Sequence, residues 1–149
     1  MKRIWIVCLL LAGCSDDSTL NDQFDRFELS VQDNLTIGSV VLDANQKNAT
    51  YSFEDNEDCN GSFDLTASQV NELREIIQGV PYSYQDGLEG DVRFGFYIDG
   101  DFFCTGSPCN KISESTFCEI QTFMKNLLEQ SGENLTGCPE NIYNYLLDC

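Results

Sequence analysis

The first fourteen residues set the conditions under which the rest of this chain must fold. Lys2 and Arg3 give a positive start, residues 4–11 form an apolar run, and two small residues then precede Cys14. A charged start, a short apolar run and a small-residue cleavage site are the three parts of a secretory signal. The run is shorter than the ~20 apolar residues that a membrane-spanning helix needs. We therefore expect residues 1–13 to be removed on export.

The end of this segment, Leu11-Ala12-Gly13-Cys14, resembles the lipobox of bacterial lipoproteins. In that family the cysteine is diacylated and becomes the new N-terminus. The resemblance implies that Cys14 carries a thioether-linked diacylglycerol and an N-acyl chain such as palmitate. Two or three acyl chains exceed the threshold for stable anchoring. The resemblance covers residues 1–17 only, and it implies a protein that is anchored to the membrane without spanning it.

The residues directly after Cys14 indicate a compartment. An aspartate at that place tends to retain a lipoprotein in the inner membrane, so Ser15 favours the outer membrane. Asp16 and Asp17 resemble the acidic export signal of surface lipoproteins, but they equally suit the start of a flexible tether. The sequence thus predicts a lipid-anchored protein of the bacterial cell envelope, at the outer membrane. The periplasmic and the surface-exposed sides both stay open.

Charge narrows the classes of partner. Without Lys2 and Arg3, six basic residues face 25 acidic ones, which gives a net charge of −19. Nucleic acid and anionic lipid surfaces would be repelled, whereas a cationic protein or a divalent metal ion would be attracted. Solubility at a crowded surface explains the same charge without any partner. The length after residue 13 suits one domain with a single core.

An even number of cysteines remains for pairing. Cys8 leaves with the signal and Cys14 is lipidated, and six others are left: Cys59, Cys104, Cys109, Cys118, Cys138 and Cys149. In an oxidising compartment these predict three disulfides, for which 15 connectivities exist. A zinc site is disfavoured because the chain has neither histidine nor a Cys-x-x-Cys pair.

Geometry reduces the number of pairings. Cys104 and Cys109 flank a turn-rich loop and can close locally. If residues 139–148 are helical, Cys138 and Cys149 lie about 16 Å apart. A disulfide needs Cα atoms within roughly 7 Å, so these two should not pair with each other. The remaining four cysteines are expected to tie the terminal segment and the second helix to the rest.

From residue 24 onward the pattern predicts one α+β domain, residues 24–149, with a small antiparallel sheet. Residues 14–23 are expected to form the lipid anchor and a flexible acidic tether. Strands are predicted where apolar and polar residues alternate or where β-branched residues cluster. These segments are residues 27–31, 35–42, 50–54, 61–65, 92–98 and 102–104.

Two main amphipathic helices are predicted from apolar stripes at helical spacing and from their caps. The first covers residues 65–80, with Thr66 as N-cap and Gln69 as its capping-box partner. The second covers residues 113–130. Pro139 suits the first turn of a short C-terminal helix. Helices that are segregated from a mostly antiparallel sheet define the α+β class.

Catalysis has little support. The absence of histidine removes Ser-His-Asp and Cys-His sites and His-based zinc sites. Carboxylates remain: Asp91, Asp99 and Asp101 lie near the tight turn predicted at Asp99-Gly100, and Glu89 precedes it. Two carboxylates ~5–10 Å apart can cleave a glycoside. Most acidic side chains of such a chain are solvated, so we predict no enzyme and keep a carboxylate hydrolase as the alternative.

One stretch resembles the first nine positions of an EF-hand calcium loop. Its ligand positions would be occupied by Asn56, Asp58, Asn60 and Asp64. The twelfth position holds Ala67 where a bidentate glutamate is required, and the preceding residues read as strand. A hairpin turn at Asn60-Gly61 is the stronger interpretation. We therefore predict no cofactor, with calcium as a weak alternative.

Taken together, these features predict a lipid-anchored envelope protein that acts by binding. Two alternatives follow from the same features. The first is an inhibitor of a cationic hydrolase such as a lysozyme, and the second is a structural or adhesive surface component. The acidic charge and the expected anchor suit all three, since none of them needs a catalytic motif.

Overall fold

The computed structural model describes residues 18–32, 37–53, 59–85, 93–105 and 109–131, which form nine strands and two helices. The strands are β1 (Ser18–Thr19), β2 (Arg26–Gln32), β3 (Ile37–Asp43), β4 (Asn48–Phe53), β5 (Gly61–Asp64), β6 (Pro81–Gln85), β7 (Arg93–Ile98), β8 (Asp101–Cys104) and β9 (Cys109–Lys111). The helices are α1 (Ala67–Ile77) and α2 (Glu114–Gln130).

All nine strands belong to one sheet in the order β1-β6-β9-β8-β7-β2-β3-β4-β5. The β8–β9 pair is parallel and the other neighbouring pairs are antiparallel. The α+β class is therefore confirmed. The small sheet predicted from sequence is wrong, because the sheet is large. The sequence did not indicate β1, β6 and β9. Strands β1 and β9 have only two and three residues, too few to display an alternating pattern, and β6 begins with Pro81, a residue that disfavours a strand prediction.

The predicted tether is wrong over residues 18–23. Ser18 and Thr19 pair with β6, and the amide of Leu20 donates a hydrogen bond to the carbonyl of Val80 at 2.9 Å. The Leu20 side chain is buried in the core. The polar composition of this strand gave no sequence signal for it, because the strand is stabilised by backbone pairing and one buried leucine. The packed domain begins no later than residue 18.

The two faces of the sheet differ in character. Along β2, Phe27 and Leu29 are buried while Glu28 and Ser30 are partly exposed. The same alternation continues through β3 and β4. Antiparallel sheets commonly pack one face on a core and leave the other to solvent. Both helices contribute to the core, and the opposite face, which we call the open face, carries the partly exposed and exposed residues.

The helix predictions hold for the described residues. Thr66 caps α1: its Oγ1 accepts from the amide of Gln69 at 3.2 Å, and Gln69 Oε1 accepts from the amide of Thr66 at 2.8 Å. Ser113 caps α2 by accepting from the amide of Thr116. Neither helix is long and apolar enough to cross a membrane. The C-terminal helix expected after Pro139 lies outside the described residues.

Aromatic rings connect the sheet to its covering helix. The ring of Phe96 on β7 stacks on Phe27 at 5.2 Å and on Phe103 at 5.4 Å between centroids. On the helix side, Phe96 lies 5.9 Å from Phe117 of α2. Buried aromatic pairs contribute ~0.5–1.5 kcal/mol each beyond their area. This cluster fixes α2 over the centre of the sheet.

The local disulfide prediction is confirmed. Cys104 and Cys109 are bonded, with Cα atoms 6.0 Å apart and a sequence separation of five. This bond joins the end of β8 to the start of β9. Cys59 and Cys118 are disulfide-bonded as well. Cys138 and Cys149 lie outside the described residues.

Of the two predicted tight turns, one is confirmed and one is wrong. Asp99 and Gly100 have φ of 50° and 101°, as a type I′ turn requires at its two central residues. Gly61, in contrast, is the first residue of β5 and pairs with Tyr51 of β4. It is glycine for another reason, since a Cβ atom there would overlap the Tyr51 hydroxyl.

Candidate functional site

An open pocket of about 570 Å³ lies beside the turn between β7 and β8. We call it the turn pocket. Its lining combines three carboxylates, one cation, one phenol and the glycine of the turn: Asp25, Glu28, Asp99, Arg26, Tyr97 and Gly100. Since three acidic side chains face one basic one, the lining carries a net negative charge.

Asp99 lines the turn pocket and is held by three donors. Its Oδ1 accepts from the backbone amides of Asp25 at 3.0 Å and Arg26 at 2.9 Å. Its Oδ2 accepts from the side-chain amide of Asn21 at 3.3 Å. These bonds connect the turn to the start of β2. The sequence predicted Asp99 as a turn residue and as one of the carboxylates available for catalysis. In the structure, its contacts give it a positioning role.

The remaining acidic groups have fewer partners. Glu28 forms a 2.9 Å ion pair with Arg26, whose side chain is 60% exposed against 24% for Glu28. Asp25 accepts one bond at Oδ1, from the side-chain amide of Asn45 at 2.9 Å. An exposed ion pair of this kind contributes only about 0–1 kcal/mol. A competing cation can therefore displace Arg26 from Glu28 at little cost.

The apolar wall of the turn pocket continues onto the open face. The ring of Tyr97 lies 4.9 Å from that of Phe102, its partner on β8, and both are partly exposed. Gly95 makes this arrangement possible, because a Cβ atom there would overlap the Phe102 ring. On its other side Tyr97 pairs with Glu28. An aromatic surface next to a carboxylate is a suitable contact for a cationic side chain.

The calcium candidate is placed only in part. Asn56 and Asp58 lie outside the described residues. Asn60 accepts a hydrogen bond from the amide of Phe53 at 2.9 Å, and Asp64 is exposed at the last position of β5. Four strand positions separate them, or about 13 Å along the backbone. Calcium ligands lie 2.3–2.6 Å from the ion. Asn60 and Asp64, the two candidate ligands that the structure describes, are therefore not gathered around one point. The calcium site stays a prediction.

Other predicted site residues also fall beyond the structure. Cys14, the expected lipidation site, lies outside the described ranges, as do Glu89 and Asp91 of the carboxylate alternative. Asp101 is described and exposed. In the described part of the chain, no group of three or more Cys, Asp or Glu side chains is placed to hold a metal ion.

Sequence reasoning did not identify Asp25, Glu28 or Tyr97 as members of one site. These residues are brought together by the pairing of β2 with β7 and by the Asp99 turn, which join residues more than 60 positions apart in sequence number. The one local signal was Asp99-Gly100. A pairing of β2 with β7 could not be read from either strand alone, since both show the same alternation.

No protein-family model, no curated protein and no solved structure matches this chain.

Proposed function

We propose that this chain is a lipid-anchored protein of the bacterial cell envelope that acts by binding a cationic partner protein. In this proposal the turn pocket receives a lysine or arginine side chain of the partner. The observation that carries it is that three carboxylates and the partly exposed Tyr97 line the same pocket. Arg26, the cation of the lining, can be displaced at little cost because its side chain is largely exposed and an exposed ion pair is weak.

The chemistry of the turn pocket fits an arginine better than any anion. A guanidinium group can donate two parallel hydrogen bonds to one carboxylate and stack its plane on an aromatic ring. Asp25 and Glu28 offer the carboxylates, and Tyr97 offers the ring. Each charged hydrogen bond contributes about 1.5–3 kcal/mol where water is excluded and less where it is not.

The charge of the whole chain supports the same partner. A formal net charge of −17, carried by 25 acidic and 8 basic residues, steers a cationic protein toward this domain. Steering of this kind raises association rates and weakens as salt screens the field. Inhibition of a cationic hydrolase such as a lysozyme is a special case, which a lytic-activity assay would distinguish.

The proposal can be tested with two short peptides that differ at one side chain. The oxidised chain from residue 15 on would be titrated by NMR with a glycine-flanked arginine peptide and with its glutamine counterpart. We expect amide shifts at Asp25, Glu28, Tyr97 and Gly100 with the arginine peptide alone. Asp25→Asn should remove them, and Asp64→Asn, an equal charge change on β5, should not.

Shifts spread evenly over the acidic surface, or shifts that Asp25→Asn leaves unchanged, would contradict the proposal. Those results would mean that the charge acts as a solubility device. The structural or adhesive role would then be the better account.

A further inference from the structure

We infer that the edge of the sheet formed by β1 and β6 faces the lipid bilayer, with Tyr84 at the level of the headgroups. The inference rests on the proposed lipid anchor at Cys14. It assigns the anchored domain an orientation and a lipid-contact surface, which we call the β1–β6 edge: strands β1 and β6 with the adjoining β9.

Chain length keeps this edge close to the membrane. Four residue steps separate Cys14 from Ser18, and an extended chain spans at most about 3.6 Å per residue, or about 14 Å in total. Ser18 is fixed on the sheet by its pairing with Tyr82. Leu20, two residues later, is buried. An acylated Cys14 therefore holds β1 within about 14 Å of the lipid.

The direction of pairing places Tyr84 on the anchor side. Ser18 pairs with Tyr82 and Thr19 with Pro81, so β1 runs antiparallel to β6. From Thr19 to Ser18, the direction that leads toward Cys14, the pairing partner on β6 changes from Pro81 to Tyr82 and so moves toward Tyr84. The chain thus arrives at β1 from the end of β6 that carries this tyrosine.

Tyr84 has the exposure and the chemistry of a headgroup contact. Tyr84 is 69% exposed, which makes it the exposed large hydrophobic residue of the described part of the chain. Tyrosine is enriched at membrane–water interfaces because its ring is apolar and its hydroxyl is polar. A tyrosine at this position is therefore suited to a contact with lipid headgroups.

The charge of the β1–β6 edge differs from that of the whole chain. Strands β1, β6 and β9 contain no aspartate or glutamate, and Lys111 on β9 is exposed. The remainder of a chain with 25 acidic residues would be repelled by anionic headgroups. Asp16 and Asp17 stay near the headgroups in every orientation, so they favour no edge. Among the described strands, the opposite edge of the sheet carries Asp43 on β3 and Asp64 on β5, so of the two edges the β1–β6 edge is the less acidic.

Tryptophan fluorescence can test the orientation in the lipidated full-length protein. The chain has one tryptophan, Trp5, which is lost with the signal, so an introduced tryptophan is a single reporter. Tyr84→Trp places it on β6. Ser62→Trp is the matched control, on an exposed position of β5 that lies seven strand spacings, or about 34 Å along the sheet, from β6.

Both variants would be reconstituted in phosphatidylethanolamine–phosphatidylglycerol vesicles with and without a headgroup-nitroxide lipid. We expect the nitroxide to quench the Tyr84→Trp reporter at least twofold more than the Ser62→Trp reporter. Equal quenching, or stronger quenching at residue 62, in protein that floats with the vesicles would overturn the orientation and leave the anchor intact. Protein that lacks the acyl mass and does not float would overturn the anchor, and the orientation with it.

Discussion

Asp99 and Arg26 are joined by two hydrogen bonds that run in opposite directions. The amide of Asp99 donates to the carbonyl of Arg26 at 3.0 Å, and the amide of Arg26 donates to Oδ1 of Asp99 at 2.9 Å. The two residues are 73 positions apart. A turn in the second half of the chain therefore fixes the first residue of β2, and the walls of the turn pocket depend on that contact.

Replacing Asp99 should destabilise the domain, and alanine at this position should cost more stability than asparagine. Asp99→Ala removes three acceptor contacts and places alanine at a φ of 50°, where asparagine is tolerated but alanine is not. We expect a loss of about 2 kcal/mol in the free energy of unfolding, and less than half of that for Asp99→Asn. Urea denaturation measures both. Asp101→Ala, across the turn, is the control and should cost no more than about 0.5 kcal/mol.

The pairing of β3 with β4 predicts a coupling between Gly38 and Phe53. These residues are opposite each other, and a Cβ atom on Gly38 would overlap the Phe53 ring. Gly38→Ala alone should cost about 1–3 kcal/mol through overpacking. Phe53→Leu makes room for the new methyl group, so the double variant should be more stable than the sum of the single losses predicts. Strict additivity in denaturant unfolding would show that the two residues are not in contact.

The remaining disulfides should attach the C-terminal segment to the domain. Cys104 is bonded to Cys109, and Cys59 and Cys118 are also disulfide-bonded. Because Cys138 and Cys149 are predicted to be too far apart to pair, we expect one of them to bond to Cys59 and the other to Cys118. Peptide mapping without reduction identifies the pairs. A fragment that links Cys59 to Cys118 directly would contradict this prediction.

Lipidation should depend on one cysteine of the signal segment. Cys14→Ser is expected to abolish incorporation of labelled palmitate and to remove the acyl mass from the purified protein. Cys8→Ser, which lies in the segment expected to be cleaved, should be labelled as strongly as the natural chain. If Cys14→Ser were labelled normally, neither the lipobox interpretation nor the membrane orientation built on it would stand.

The hydrogen bond between Asn21 and Asp99 relates the turn pocket to the anchor. Asn21 contacts Asp99 at 3.3 Å and follows Cys14 by seven residues, a reach of at most about 25 Å. The turn pocket would therefore lie close to the membrane in an anchored protein. A partner that binds there must itself approach the lipid surface.

Local patterns predicted the elements that carry their own signals. Thr66 and Gln69 specify the start of α1, Asp99-Gly100 specifies a turn, and the alternation through Phe27 specifies a strand. Strands as short as β1 and β9 carry no such signal. Two or three residues form a strand only when the backbone of a neighbouring strand is available for hydrogen bonding. The composition of the turn pocket was unpredictable for the same reason, since long-range pairing decides which residues meet Tyr97.

Affinity capture with three baits tests the binding proposal most directly. The oxidised natural chain, Asp25→Asn and Asp64→Asn would each be exposed to envelope extract and culture fluid at physiological salt. The account predicts one cationic protein that the natural chain and Asp64→Asn retain and that Asp25→Asn binds at least tenfold more weakly. Equal retention by all three baits, or retention only of basic proteins that salt removes, would contradict a binding role for the turn pocket.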